Sequence, residues 1–190
     1  MPEGAGDLLR ESGVFEHGVV DMADVTFMQE VRKMCEANTC RKYATTWACP
    51  PAVGTVEECR SRCQAYGKML VFSAKYDLDG SFDYEGMVAA GQAFKDVSRR
   101  VGEALRPSLG DCLLLANEGC GKCERCTYPG APCRFPDQVH GSIEAYGIMV
   151  SHLAHKAGMK YHNGPNTVTY FGAIAFDPVS DTDSLTTQTT

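Results

Sequence analysis

The chain reads as an α/β domain, a single layered unit with a small mixed sheet, flanking helices and two cysteine-rich loops. Three observations predict this. Apolar runs of strand length stand at 69–76, 112–116 and 167–176. Between them, apolar residues repeat every three or four positions, and turn-forming residues separate one stretch from the next. With 190 residues, 44% of them hydrophobic, the chain can bury a core without disulfide staples.

Each element has its own signal. Residues 1–22 are Gly-rich and read as an irregular segment ahead of a domain over 23–177. Asp24 is a candidate cap for a helix carrying Phe27, Met28, Val31, Met34 and Cys35. Thr55 and Glu58 form a capping-box pattern that opens a helix to Tyr66, with Gly67 as its stop. The run 69–76 is apolar on both faces at its start, as a buried strand requires. Met87, Gly91, Phe94, Val97, Val101 and Leu105 mark one face of a helix, which Pro107 is expected to end. Ile143, Tyr146, Val150, Leu153 and Ala157 predict a third long helix stopped by Gly158. A turn at 163–166 leads into the last strand, where a β-hairpin is expected. The Thr-rich tail over 178–190 is polar enough to read as disordered.

Composition excludes several classes. Net charge is −6 and no Lys/Arg run exceeds two residues, so nothing tracks a phosphate backbone and nucleic acid is not an expected partner. The longest apolar run, 112–116, is far too short to cross a bilayer, and the acidic start of the chain is no signal peptide. A cytoplasmic protein is expected. Its ten cysteines then call for a metal, because disulfides do not persist in a reducing compartment.

The most specific feature is Cys120-Gly-Lys-Cys123-Glu-Arg-Cys126, followed after a gap of six residues by Cys133. Three cysteines at two-residue gaps let one short loop present three thiolates to three corners of a [4Fe–4S] cubane, with Cys133 for the fourth. Zinc is the alternative, although zinc sites usually take two separated Cys-x-x-Cys knuckles rather than one triple run. Lys122, Arg125 and Arg134 interleave with these cysteines, where cations would favour thiolates.

Cys35, Cys40 and Cys49 are spread more widely, and their spacing alone is a weak signal. Pro50 and Pro51 after Cys49 stiffen that loop, and Trp47 could shield a site from solvent. Cys59 and Cys63 lie one turn apart on a helix and read as core thiols. Cys112 opens a strand and, about 26 Å of extended chain from Cys120, belongs to no shared site. His152 and His155 fall off the apolar stripe of their helix and read as solvated. No motif gives His162 or Tyr170 a role, and no Gly-rich phosphate loop follows either buried strand.

The segments Cys40…Tyr43…Trp47-Ala-Cys49-Pro50-Pro51, Cys120 to Cys126 with Thr127-Tyr128-Pro129, Pro132-Cys133-Arg134-Phe135-Pro136, and the run from Ser142 to Val150 resemble a predicted metal-binding family, domain of unknown function 2284. The resemblance covers about residues 30 to 176 and implies Cys35, Cys40, Cys49, Cys120, Cys123, Cys126 and Cys133 as ligands. Such proteins occur mainly in anaerobic bacteria and archaea, which agrees with an oxygen-sensitive cluster, and the resemblance implies metal binding and no settled reaction. Cys59 and Cys63 lie outside its pattern.

Seven ligands are one short of two complete cubanes. Cys59, nearer than Cys63 to a helix N-terminus, is the thiol best placed to supply an eighth. A complete pair of clusters would suit a redox protein passing electrons to or from a partner enzyme. A three-cysteine cluster with an open iron would suit an enzyme acting on a small substrate. A zinc-stabilised interaction module is the third reading.

Overall fold

The computed structural model describes residues 1–2, 4–117 and 119–178. Its centre is β2 (Lys68–Asp77), which is buried on both faces, as its unbroken apolar run predicts. On one face Met69 and Val71 point into a cluster with Cys59, Cys63, Ile143, Tyr146 and Leu153. On the other, Leu70, Phe72 and Ala74 meet Phe94, Val97, Val101 and Leu105. One strand therefore supports two cores, and helices cover both sides of the sheet.

The sheet has four strands in the order β1 (Glu16–Asp21), β2, β4 (Thr167–Phe176), β3 (Cys112–Leu115). The α/β class stands, but every pairing is antiparallel where a mixed sheet was expected. The last strand inserts between β2 and β3, with Lys68 opposite Phe176 and Cys112 opposite the same Phe176, so no terminal hairpin forms. The long crossovers through helices allow neighbours in space that are distant in sequence.

The first 22 residues are not irregular. They hold α1 (Ala5–Glu11), whose Ala5 and Leu9 join the core beside Phe94, and the edge strand β1. Both elements are too short to show a full apolar period, and tertiary contacts decide them. Helix α2 (Gln29–Glu36) begins later than Asp24, which sits in a 3-10 turn and caps nothing with its side chain. Helix α3 (Val56–Gln64) carries the expected capping box: the Glu58 N–H donates to Thr55 Oγ1 at 3.2 Å and the Thr55 N–H donates to Glu58 Oε2 at 2.7 Å.

Helix α4 (Tyr84–Leu109) runs through Pro107 rather than ending there. A proline inside a helix costs about 3 kcal/mol, but burying Leu105 and Leu109 returns about 1.5–3 kcal/mol each. The expected third long helix is broken. A 3-10 turn at Glu144–Tyr146 ends at Gly147, and α5 (Val150–Lys156) follows. Gly147 has φ 78°, and a Cβ there would stand 3.0 Å from Val56 Cγ1 and 3.1 Å from the Met28 carbonyl. The chain turns at Gly147 because α2 and α3 close in on it, which the apolar period cannot reveal.

Beyond β3, the segment through residue 141 makes a long excursion. It closes at one point: Ala116 and Ser142 form a parallel bridge, the Ala116 N–H donates to the Gly141 carbonyl at 3.0 Å, and the Ile143 N–H to the Ala116 carbonyl at 3.2 Å. The expected disordered tail lies outside the described residues apart from Pro178.

Candidate metal centre

The excursion carries Cys120, Cys123, Cys126 and Cys133 to one cavity of about 420 Å³, whose wall includes all four. They are near enough that each of the other three raises the Cys120 thiol, after burial, which raises it most. The Lys122 backbone opposes that rise. Gly121, at φ 68°, turns the loop where a Cβ would meet the Lys95 side chain at 3.1 Å. Lys42, Lys95, Lys122, Arg125 and Arg134 all border the cavity against a single described acid, Glu124. Arg134 also holds the loop's shape, its guanidinium donating to the Arg125 carbonyl at 3.0 Å.

The second group comes from α2 and the loop after it. Burial pushes the Cys35 thiol up to about 11; the Glu144 charge adds to the rise, Arg32 opposes it, and Cys40 and Cys49 each raise it further. Cys49 is buried and also raised, first by burial. The Thr46 hydroxyl and the Gly119 N–H face its sulfur and oppose that rise, while Cys40 adds to it. The structure thus brings the seven cysteines into a group of three and a group of four.

The two groups share a wall. Gly119, turned to Cys49, immediately precedes Cys120, and Lys42 acts on Cys49 while bordering the cavity of the four. Trp47 locks the loops together: its Nε1–H donates to the Ala131 carbonyl at 3.3 Å, and its ring stands edge-on to Tyr128 at 5.0 Å. Asn117 anchors the start of the cysteine loop to α4 by donating to the Gly91 carbonyl at 3.0 Å.

A model of the predicted metal-binding proteins DUF2284 matches residues 18–176. The chain belongs to that family. The match starts within β1 and ends with β4, so it takes in both cysteine groups and all of the sheet but the first two residues of β1, and it begins earlier than the sequence motifs do. No curated protein and no solved structure matches the chain.

In this DUF2284 protein the donor set fits a thiophilic metal. Seven thiols are grouped with cations and N–H donors around them, and the Thr46 hydroxyl, turned to the Cys49 sulfur at the edge of the cavity of the four, is buried without a fully formed hydrogen bond among the described residues. Among the described residues, no three Cys, His, Asp or Glu side chains already converge on a point that could hold a single ion. The raised thiols mean that ligation must displace protons.

Cys59 stands apart from both groups. It is fully buried, and Arg32 and Arg62 donate to its sulfur at 3.5 and 3.2 Å. Arg32 is itself only 5% exposed; its other bonds go to the carbonyls of Gly54 and Ala145. Arg62 also donates to the Val53 carbonyl and lies over the Tyr146 ring at 4.9 Å. Cys63 packs in the same core, and burial, then Cys59, pushes its thiol up to about 12. Cys112 lies at the start of β3 beside Arg106, remote from either group.

His152, His155 and His162 are exposed, as expected for the first two, and Tyr170 is tied up in structure, its hydroxyl donating to the Met87 carbonyl at 2.8 Å. The residues that sequence reasoning missed are Lys42, Lys95, Arg32 and Arg62. Lys42 lies within the Cys40–Cys49 phrase and could have been flagged there. Arg62 lies one turn from Cys59 on α3 and could have been flagged there. Arg32 and Lys95 carry no local signal, because only the packing of distant segments brings Arg32 to the Cys59 sulfur and Lys95 to the cavity.

Proposed function

We propose that this protein is a cytoplasmic iron–sulfur redox protein that passes electrons to or from a partner enzyme. Cys120, Cys123, Cys126 and Cys133 would hold one [4Fe–4S] cluster, and Cys35, Cys40 and Cys49 a second. The observation that carries the reading is the shared wall, Cys49 against Gly119, which would put two clusters side by side in one chain. Such clusters accept and release electrons one at a time.

The chain's own residues prepare for that charge. Lys42, Lys95, Lys122, Arg125 and Arg134 offset the negative charge of four thiolates. Trp47 and Tyr128, stacked edge to face between the loops, keep water from the seam. The Thr46 hydroxyl and the Gly119 N–H are aimed at the Cys49 sulfur, where a thiolate would accept them.

One observation favours a second reading. With Cys59 turned to Arg32 and Arg62, no eighth thiol joins the group of three among the described residues. An open corner there would let the protein act as an enzyme on a small substrate. Zinc in place of iron would make it a stabilised interaction module.

Anaerobic purification with iron, sulfide and zinc quantified per chain tests the proposal. Equal iron and sulfide, about eight of each, is the expected result for two cubanes. About four of each leaves a single cluster and removes the relay. Zinc without sulfide overturns the redox reading.

A further inference from the structure

A second cavity of about 610 Å³ lies between α4 and the cysteine loop, within the usual size of small-molecule sites. Leu114 and Ala116 form part of its floor, and Gly102 leaves room where a Cβ would press on Leu114 at 3.1 Å. It runs along one face of α4 from Lys95 to Arg106, about 16 Å of helix. At the first end it borders Cys120 and Lys122; at the other, Arg106 and His140.

The polar groups of this cleft divide into two sorts. Arg99 is satisfied by Asp96 and Glu103 at 3.6 and 3.1 Å. The Arg106 guanidinium makes no hydrogen bond or ion pair among the described residues. The Lys122 ammonium lies over the Phe135 ring at 5.5 Å and has no carboxylate partner among them. Arg106 and Lys122 are solvent-exposed, and of the acids that line the cleft Asp96 and Glu103 are taken by Arg99, which leaves Asp137. Two cations without a carboxylate partner among the described residues, one at each end, make the cleft receptive to an anion at each end.

We propose that the cleft between α4 and the cysteine loop binds a small elongated dianion of the dicarboxylate class, one carboxylate on Arg106 and the other on Lys122 beside Cys120. Arg106 takes its carboxylate in a fork that fits both oxygens, and Lys122 meets the other as a point charge. The position against Cys120 would make the ligand a substrate or regulator of the adjacent cluster, and that role rests on the iron–sulfur reading; the binding itself does not.

Calorimetric titration of the full-length, anaerobically purified protein with succinate, glutarate, adipate and pimelate tests this, with iron quantified in the same sample. The expected result is saturable binding that tightens toward the longer diacids. Arg106→Gln and Lys122→Gln should each weaken it about tenfold. Arg10→Gln, on exposed α1, should leave it unchanged. No binding by any diacid, equal affinity for propionate, or unaltered affinity in Arg106→Gln would overturn the proposal. Diacid binding by an iron-free sample sustains the cleft while sinking the cluster reading; an iron-loaded sample that binds none does the reverse.

Discussion

Cysteine serves two opposite ends in α3 and in the excursion after β3. In α3, Cys59 and Cys63 are fully buried and pack as ordinary core side chains beside Val56 and Ile143. From Asn117 to Ser142, no apolar side chain is buried among the described residues, yet four cysteines surround one cavity. A segment with so little apolar burial is held by its hydrogen bonds, the Trp47–Tyr128 ring contact and a ligand rather than by a core. The lesson is that a cysteine's role follows from what its neighbours already supply. Where the core supplies stability the thiol is filling, and where nothing does the thiol is the fastener.

The sharpest way to break this contrast is Cys123→Ser. The middle cysteine of a triple run has no spare neighbour, so the variant should lose the whole metal content of that site. Amide exchange should rise through residues 119–139 while β2 and β4 stay protected. Full metal content with unchanged exchange would place the fastener elsewhere.

A smaller effect is expected from Cys59→Ala, with the opposite signature. Losing a filled site and the sulfur that meets two guanidinium groups should cost about 2 kcal/mol in denaturant unfolding, with metal per chain unchanged. Loss of metal instead would make Cys59 a ligand and erase the distinction between the two regions.

The smallest effect is read from alkaline pH. Burial raises the Cys63 thiol from 9.0 to about 12, so the folded state keeps a proton that the unfolded state releases. Its contribution is complete below pH 9 and falls as pH rises toward 12, since there the unfolded chain binds fewer protons. Unfolding midpoints should drop on going from pH 8 to pH 10, by about 1 kcal/mol for this group. Cys63→Ala should shallow that decline and leave the remainder to the other groups that burial raises, among them Cys35, Cys59 and Tyr146. An unchanged slope in the variant would mean that Cys63 is not held as a core thiol.

Much of this was legible along the chain. The capping box of α3, the doubly buried β2 and the span of β4 are local patterns, and the structure repeats them. Cysteine spacing likewise singled out four thiols that line one cavity. What was illegible depends on approach between distant segments. Gly147 breaks a helix only because Val56 and Met28 crowd it. Asp24 looked like a cap, but the chain at Val25 and Met28 is extended, and the helix waits until Gln29. Arg32 reaches Cys59 across 27 residues, and Arg106 comes to the edge of the cysteine loop only through the packing of α4 on β3. Charge on a helix face says nothing of which loop will lie against it.

The bridge between Ala116 and Ser142 has a consequence for the order of assembly. Because the excursion leaves and rejoins the sheet at a single hydrogen-bonded neck, neither core draws on an apolar residue inside it. The strands and helices can therefore reach their final arrangement while the thiols in the excursion still carry their protons. Loading can then follow folding, and whatever delivers a metal would meet an open loop on a completed scaffold rather than an unfolded polypeptide.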